Sequence, residues 1–174
     1  MLYLQELMDS NLINYILCPK CKSKFHINIK KSISKEIITG NLICEKKHIF
    51  KITHGVPRLV VDKEKDFTLT ESAFSSKWKL FNKSYHNQRW YNKQRKWFLD
   101  RFGWKNFKNF CLFLQKCNYV LDAGTGVGNS AHWFSSRKSI VFAIDASESI
   151  IFANKKYGYI PNIHFIQADI RQLP

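Results

Sequence analysis

Apolar and polar residues alternate through Phe25, Ile27 and Ile29, and two short runs rich in β-branched residues follow at 37–43 and 49–52. A period of two puts every second side chain on one face, so this first zone predicts a small antiparallel sheet. From residue 68 to 116 the pattern changes. Trp78, Phe81, Trp90, Trp97, Phe98, Phe102, Trp104, Phe107, Phe110 and Leu114 recur at separations dominated by three, four and seven. That spacing predicts helices with the aromatic residues as core, and Gly103 is the expected helix stop between them. Beyond residue 118 short apolar runs at 119–121, 140–144 and 163–167 alternate with helical segments at 129–135 and 147–157. The order βαβαβ is the signature of a parallel sheet. Ser147 is the expected N-cap of the second helix, with Glu148 in its first turn, Lys155 and Lys156 near its end and Gly158 just past it.

These patterns divide the chain into a β module over 1–65, a helical connector over 66–118 and an α/β segment over 119–174, with a charged seam at 61–66. Apolar residues at 45% and aromatics at 15% are enough to bury a sizeable core, which excludes a wholly disordered chain. The N-terminal residues have neither a cationic start nor a small-residue cleavage site, and no apolar run approaches the roughly 20 residues of a membrane span. A soluble, cytoplasmic protein with no membrane partner is expected. Five cysteines, an odd number, with Cys18 and Cys21 spaced as Cys-x-x-Cys, suit reduced thiols and metal binding better than a disulfide framework.

The net charge is +15, and its excess lies ahead of residue 119: 12 basic against 6 acidic residues over 1–65, 11 against 3 over 66–118, but 5 against 4 over 119–174. Such an excess could attract RNA or another anionic substrate, because neutralising phosphate dominates non-specific affinity. Abundant Lys, Ile and Asn along the whole chain supplies the plainer reading of a compositional bias.

The run Val120-Leu121-Asp122-Ala123-Gly124-Thr125-Gly126-Val127-Gly128 joins the first strand of the α/β segment to its first helix. Glycines there let the backbone turn sharply and leave room for a ligand. A dinucleotide fingerprint needs Gly-x-Gly-x-x-Gly, and the third glycine here comes one residue too early, leaving Asn129 at its place. Asp122 sharpens the distinction: a carboxylate at the strand end repels a pyrophosphate but attracts a ligand carrying an ammonium and a sulfonium. Asp145, followed by Ala146, ends the second strand, where an acidic side chain can accept from two ribose hydroxyls. Asp169 ends the third, where it can accept from an adenine amino group while Ile170 packs on the ring.

Val120 to Gly128, Ala143-Ile144-Asp145 and Phe165-Ile166-Gln167-Ala168-Asp169 resemble, in order and spacing, the first three cofactor motifs of class I S-adenosylmethionine-dependent methyltransferases. The resemblance implies an α/β fold with a partial Rossmann-like methyltransferase sheet, preceded by helices and a small zinc-binding β module. It also implies S-adenosylmethionine as cofactor, held by Asp122, Gly124, Gly126, Gly128, Asp145, Ala146, Asp169 and Ile170.

Cys18-Pro19-Lys20-Cys21 and Cys44-x-x-x-His48 supply two ligand pairs, each able to form a tight knuckle around one tetrahedral ion. Four protein ligands leave no open position, so the expected Zn2+ is structural and stabilises a module too small to rely on its own core. His54 is the alternative fourth ligand, and a redox Cys-x-x-Cys is the alternative chemistry. Cys111 and Cys117 have no such context and are expected as buried small side chains. The module resembles the zinc-ribbon-like unit ahead of some methyltransferase domains, including ribosomal-RNA guanine methyltransferases, which Cys44 and His48 match more closely. It also resembles the small zinc-binding subunit that activates several methyltransferases.

A class I methyltransferase sheet normally has seven strands, and three are legible here, so the C-terminal half of that fold is expected to lie outside this chain. No catalytic residue is assigned. The first strand is expected to leave an open edge that could dock a partner. The reading is a methyltransferase acting on RNA or on a small-molecule acceptor. Its alternatives are a zinc-containing adaptor of a partner methyltransferase and a zinc-ribbon nucleic-acid binder.

Overall fold

The computed structural model describes residues 7–34, 36–61, 88–135 and 138–174. Its first part is an antiparallel sheet of β1 (Met8–Asp9), β2 (Phe25–Ile33), β3 (Glu36–Cys44), β4 (Ile49–Thr53) and β5 (Val56–Pro57). Residues 10–14 form a 3-10 turn that Asp9 caps by accepting from Asn11 N at 2.8 Å. Along β2 the expected alternation fades outward, with Phe25 buried and Ile27 half-buried but Ile29 51% exposed, whereas Gly40, Leu42 and Cys44 of β3 alternate as buried positions.

Helices α1 (Gln88–Arg101) and α2 (Phe107–Leu114) follow. Gly103 adopts φ +71 just after α1, and Trp104 N donates to Leu99 O at 2.8 Å, closing the helix where a residue with positive φ was expected. Phe98, Trp104, Phe107, Phe110 and Leu114 pack with Trp133 and Phe134 in one aromatic core, whereas Trp97 and Phe102 face outward. Trp78 and Phe81 lie outside the described residues. Cys111 is buried as expected, but Cys117 is half-buried, since it sits past the end of α2.

The last part is a parallel sheet in the order β6 (Tyr119–Ala123), β7 (Ile140–Asp145), β8 (Ile163–Gln167), joined by α3 (Asn129–Phe134) and α4 (Ser149–Tyr157). Successive residues of β7 point to opposite faces. Val141 and Ala143 pack with Ala131, Ala153 and Phe165 under the helices, while Ile144, Ile166 and Ala168 join a cluster with Met8, Leu12, Ile16, Leu42 and Leu59. Strand β8 is therefore covered on both faces and buried along its length, which fits the apolar Ile163, Phe165 and Ile166 but also buries His164 and Gln167. Two expected caps differ. Helix α4 begins at Ser149 with Glu148 at the cap position, and the Ser147 hydroxyl donates to Asp145 Oδ1 at 2.6 Å while the bond it accepts from Ser149 N is a long 3.4 Å; Gly158 ends the helix with φ −63 and serves no left-handed cap.

The two sheets are stitched together. Past β5, Arg58 pairs in parallel with Gln167 and Leu59 N donates to Gln167 O at 2.7 Å, while Arg58 N still bonds Lys51 O on β4. Arg58 also grips the Glu148 carboxylate at 2.8 Å, and Asn154 Nδ2 donates to His54 O at 2.8 Å. Tyr15 lies over the sheet face against Phe142, ring centroids 5.4 Å apart. On the far side β6 is an edge strand whose Tyr119 and Leu121 stand 59% and 49% exposed. Among the described residues no helix is long and apolar enough to cross a membrane.

Candidate functional site

Parallel pairing of β6, β7 and β8 brings their C-terminal ends, and with them Asp122, Asp145 and Asp169, to one rim of the sheet. Between β6 and α3 the chain makes a turn in which Gly124, Gly126 and Gly128 take φ of +82, +57 and +80. Side chains are disfavoured at these angles. A Cβ at Gly124 would meet nothing within 4 Å, so the space over the turn is open, whereas one at Gly128 would press to 3.0 Å on Ala153 and 3.1 Å on Phe165. Gly124 thus leaves room for a ligand, and Gly128 lets α3 lie close on α4 and the sheet.

The carboxylates differ in what they already hold. Asp145 Oδ2 accepts from Gly126 N at 2.8 Å, and its Oδ1 accepts from Ser147 N and Ser147 Oγ, so this side chain ties the glycine turn to the loop after β7. Asp122 is buried and accepts from the Ser130 hydroxyl at 2.7 Å. Burial pushes its carboxyl above the ordinary carboxylate range, and the nearby Asp145 charge adds to the rise. Asp169 accepts from Arg171 N, Nε and Nη2, with Nη2 at 2.7 Å, and the guanidinium holds its carboxyl below the usual range. Ala146 lies in the loop after β7, where its carbonyl accepts from Gln167 Nε2 at 2.9 Å; Ile170 is exposed at the sheet rim.

A cavity of about 330 Å³ opens over the turn. One wall is Asp122, Gly124, Thr125, Gly126 and Ser130; the other is Gln94, Trp97, Phe98 and Phe102 from the end of α1 and just beyond. Helix α1 is held there by polar contacts, Asn129 Nδ2 to Gln94 Oε1 and Tyr91 Oη with His132 Nδ1, both at 2.8 Å. Among the lining residues, Thr125 Oγ1 and Trp133 Nε1 are buried without a well-formed hydrogen bond, although the Thr125 hydroxyl is close enough to Asp122, and the Trp133 N–H close enough to Tyr91, to oppose the rise that burial gives each acid. Ser130, Thr125 and the α1 side chains escaped the motif-based reading. Ser130 had one signal, a hydroxyl in the first turn of a helix that follows an acidic strand end.

At the other site the ligand atoms of Cys18, Cys21, Cys44 and His48 all lie within 4.8 Å of one another. Both pairs sit on matching turns. Cys18 N donates to Ser23 O and Lys22 N to Cys18 O; likewise Cys44 N donates to His48 O and Lys47 N to Cys44 O. Lys22 and Lys47 take φ of +58 and +62, the left-handed positions that close the two knuckles. The separations are 3.7 Å for Cys21 Sγ to Cys44 Sγ, 3.6 Å for Cys18 Sγ to His48 Nδ1 and 3.4 Å for Cys44 Sγ to His48 Nδ1. A tetrahedral ion with bonds of roughly 2.3 Å to sulfur and 2.0–2.1 Å to nitrogen needs about these spacings, so the three pairs fit a common metal. Its thiols are also prepared unequally: the Ser23 hydroxyl and other donors lower Cys21 to about 6, while burial raises Cys18. His54 lies in the β4–β5 turn and is not part of this cluster.

Residues 121–174 match the family described as Methyltransferase domain, which supports a methyltransferase. No curated protein matches the chain.

Proposed function

We propose that this chain is a class I S-adenosylmethionine-dependent methyltransferase, with the cofactor lying across the C-terminal ends of β6, β7 and β8 and a structural zinc ion in the Cys3His cluster. The carrying observation is the rim itself: an open glycine turn flanked by a buried Asp122 and by Asp145, within the segment that matches the methyltransferase domain. S-adenosylmethionine supplies an electrophilic methyl group when bound. Around it Asp122, poorly solvated and beside a second carboxylate, attracts an ammonium or sulfonium, because a cation relieves the charge that burial opposes. Asp145 keeps the glycine turn in shape through Gly126 N and retains lone pairs for hydroxyl groups. Asp169, with Ile170 beside it, offers an acceptor at the adenine end once it is shared with Arg171. Phe98, Trp133 and Phe134 form a dry floor beneath the cavity, which serves methyl transfer by positioning reactants and excluding water.

The acceptor is RNA or a small molecule, and the basic excess of the first two zones favours an anionic one. A second reading, part of an assembly with a partner methyltransferase, draws on the open edge of β6 with its exposed Tyr119 and Leu121. Calorimetric titration of the zinc-loaded chain with S-adenosylmethionine tests the first. Micromolar binding that Asp145→Ala weakens at least about tenfold is expected. A folded, zinc-loaded chain that binds none of the cofactor would sink this reading and leave the assembly.

A further inference from the structure

We propose that the second wall of the cavity is an acceptor platform, on which Trp97, with Phe102 beside it, stacks a flat aromatic ring that carries a negative charge. This rests on the cofactor occupying the first wall, and it names the class of acceptor. Trp97 and Phe102 line the cavity yet are 64% and 62% exposed, the two most exposed large aromatic residues of α1 and its cap. Their neighbours explain themselves: Phe98, Trp133 and Phe134 are packed together in the aromatic core. Trp97 has no ring partner among the described residues, so its indole face is spare. A tryptophan left in water at a cavity mouth forgoes the burial that a stacked ring would restore.

Charge points the same way. Residues four apart on a helix are neighbours, so Trp97 is flanked along its stripe by Lys93 and Arg101, both exposed, with Asp100 the one acid of α1. Arg95 is not available, because it lies over the Phe107 ring at 4.8 Å. A neutral ring would leave the two flanking cations unused. The Thr125 hydroxyl and Trp133 N–H, buried residues of the lining whose bonds toward Asp122 and Tyr91 are poorly formed, can supply polar contacts for a heteroatom at the ring edge after small side-chain shifts.

Two sources share this chemistry, a nucleotide, free or within a strand, and an aromatic acid. The test fills the cofactor site with S-adenosylhomocysteine and then titrates the full chain with uridine 5′-monophosphate, 4-hydroxybenzoate, uridine and glycerol 3-phosphate, following tryptophan fluorescence and heat. A pyrimidine avoids competition for the adenine end. One charged ring is expected to bind, and which one identifies the source. Trp97→Ala should weaken it about tenfold, Trp97→Phe by less, and the Lys93→Ala, Arg101→Ala pair should lower its advantage over uridine. Unchanged melting temperatures establish that the variants fold. Glycerol 3-phosphate binding as well as the charged ring, or ring binding indifferent to Trp97→Ala, overturns the platform while S-adenosylhomocysteine binding keeps the cofactor reading. Failure of S-adenosylhomocysteine to bind overturns both.

Discussion

The Cys3His cluster and the glycine-turn cavity are built to opposite rules, although both lie in the same small molecule. In the cluster, three sulfurs and one imidazole nitrogen stand at ligand spacing, two left-handed lysines close their turns, and Cys18 and Cys44 are buried in the core that the β3 and β7 side chains share. Everything there can be satisfied by one ion. The cavity keeps its valence unspent: Asp122 is buried with a raised carboxyl, Thr125 Oγ1 and Trp133 Nε1 make no well-formed hydrogen bond, and Trp97 stands in water. A site that serves folding is closed, and a site that serves binding carries a standing cost until its ligand arrives.

The largest effect should come from opening the closed site. Removing the ion with a chelator, or Cys44→Ser, should lower the melting temperature by well over 10 °C and drop zinc content from one ion per chain, because structural zinc supplies roughly 10 kcal/mol or more in small zinc-bound peptides. The unfolding should take the glycine turn with it, since Arg58, Leu59 and Asn154 couple the ribbon to β8 and α4. A chain that loses its metal yet melts unchanged would erase the contrast.

A smaller and opposite effect is expected at the open site. A carboxyl whose folded pKa is raised favours the fold below its unfolded value, and that contribution is lost as pH rises through the folded value. At neutral pH the ionised Asp122 is therefore a burden, and Asp122→Asn should raise the melting temperature by a few degrees, roughly 1 kcal/mol, while weakening S-adenosylmethionine binding about tenfold. Loss of stability together with loss of binding would show that the cavity carries no standing cost.

The smallest effect sharpens the boundary between the two. His164, on the sheet face beneath Tyr15, is buried and its pKa pushed below 6.5 by burial, against a partial pull from Asp9; His132 is lowered likewise, by burial and then by Lys156 and Arg95. A depressed imidazole contributes stability above its unfolded pKa that is lost as pH falls through the folded one. Melting temperature should fall between pH 7 and pH 5, and His164→Phe should flatten part of that slope, thiolate protonation at the cluster being common to both proteins. Identical slopes would show that the ribbon–sheet junction does not feel this proton.

Much of this was written locally. The alternation from Phe25 to Ile29, the helical spacing of Phe98, Phe107 and Phe110, and the βαβαβ order after residue 118 each depend on a few neighbouring residues, and the elements follow them. The two knuckles and the glycine turn are local as well, because φ above zero at Gly124 and ligand pairs three and four residues apart are properties of short stretches of chain. Tertiary packing decided what those stretches meet. It joined Asn129 to Gln94 and Arg58 to Glu148, and set Trp97 opposite the glycine turn 27 residues away. It also merged the ribbon core with one face of the parallel sheet, so that Leu12 and Ile166 share a cluster. Periodicity records which face of an element is apolar, but not which other apolar face will cover it, and that choice belongs to the fold as a whole.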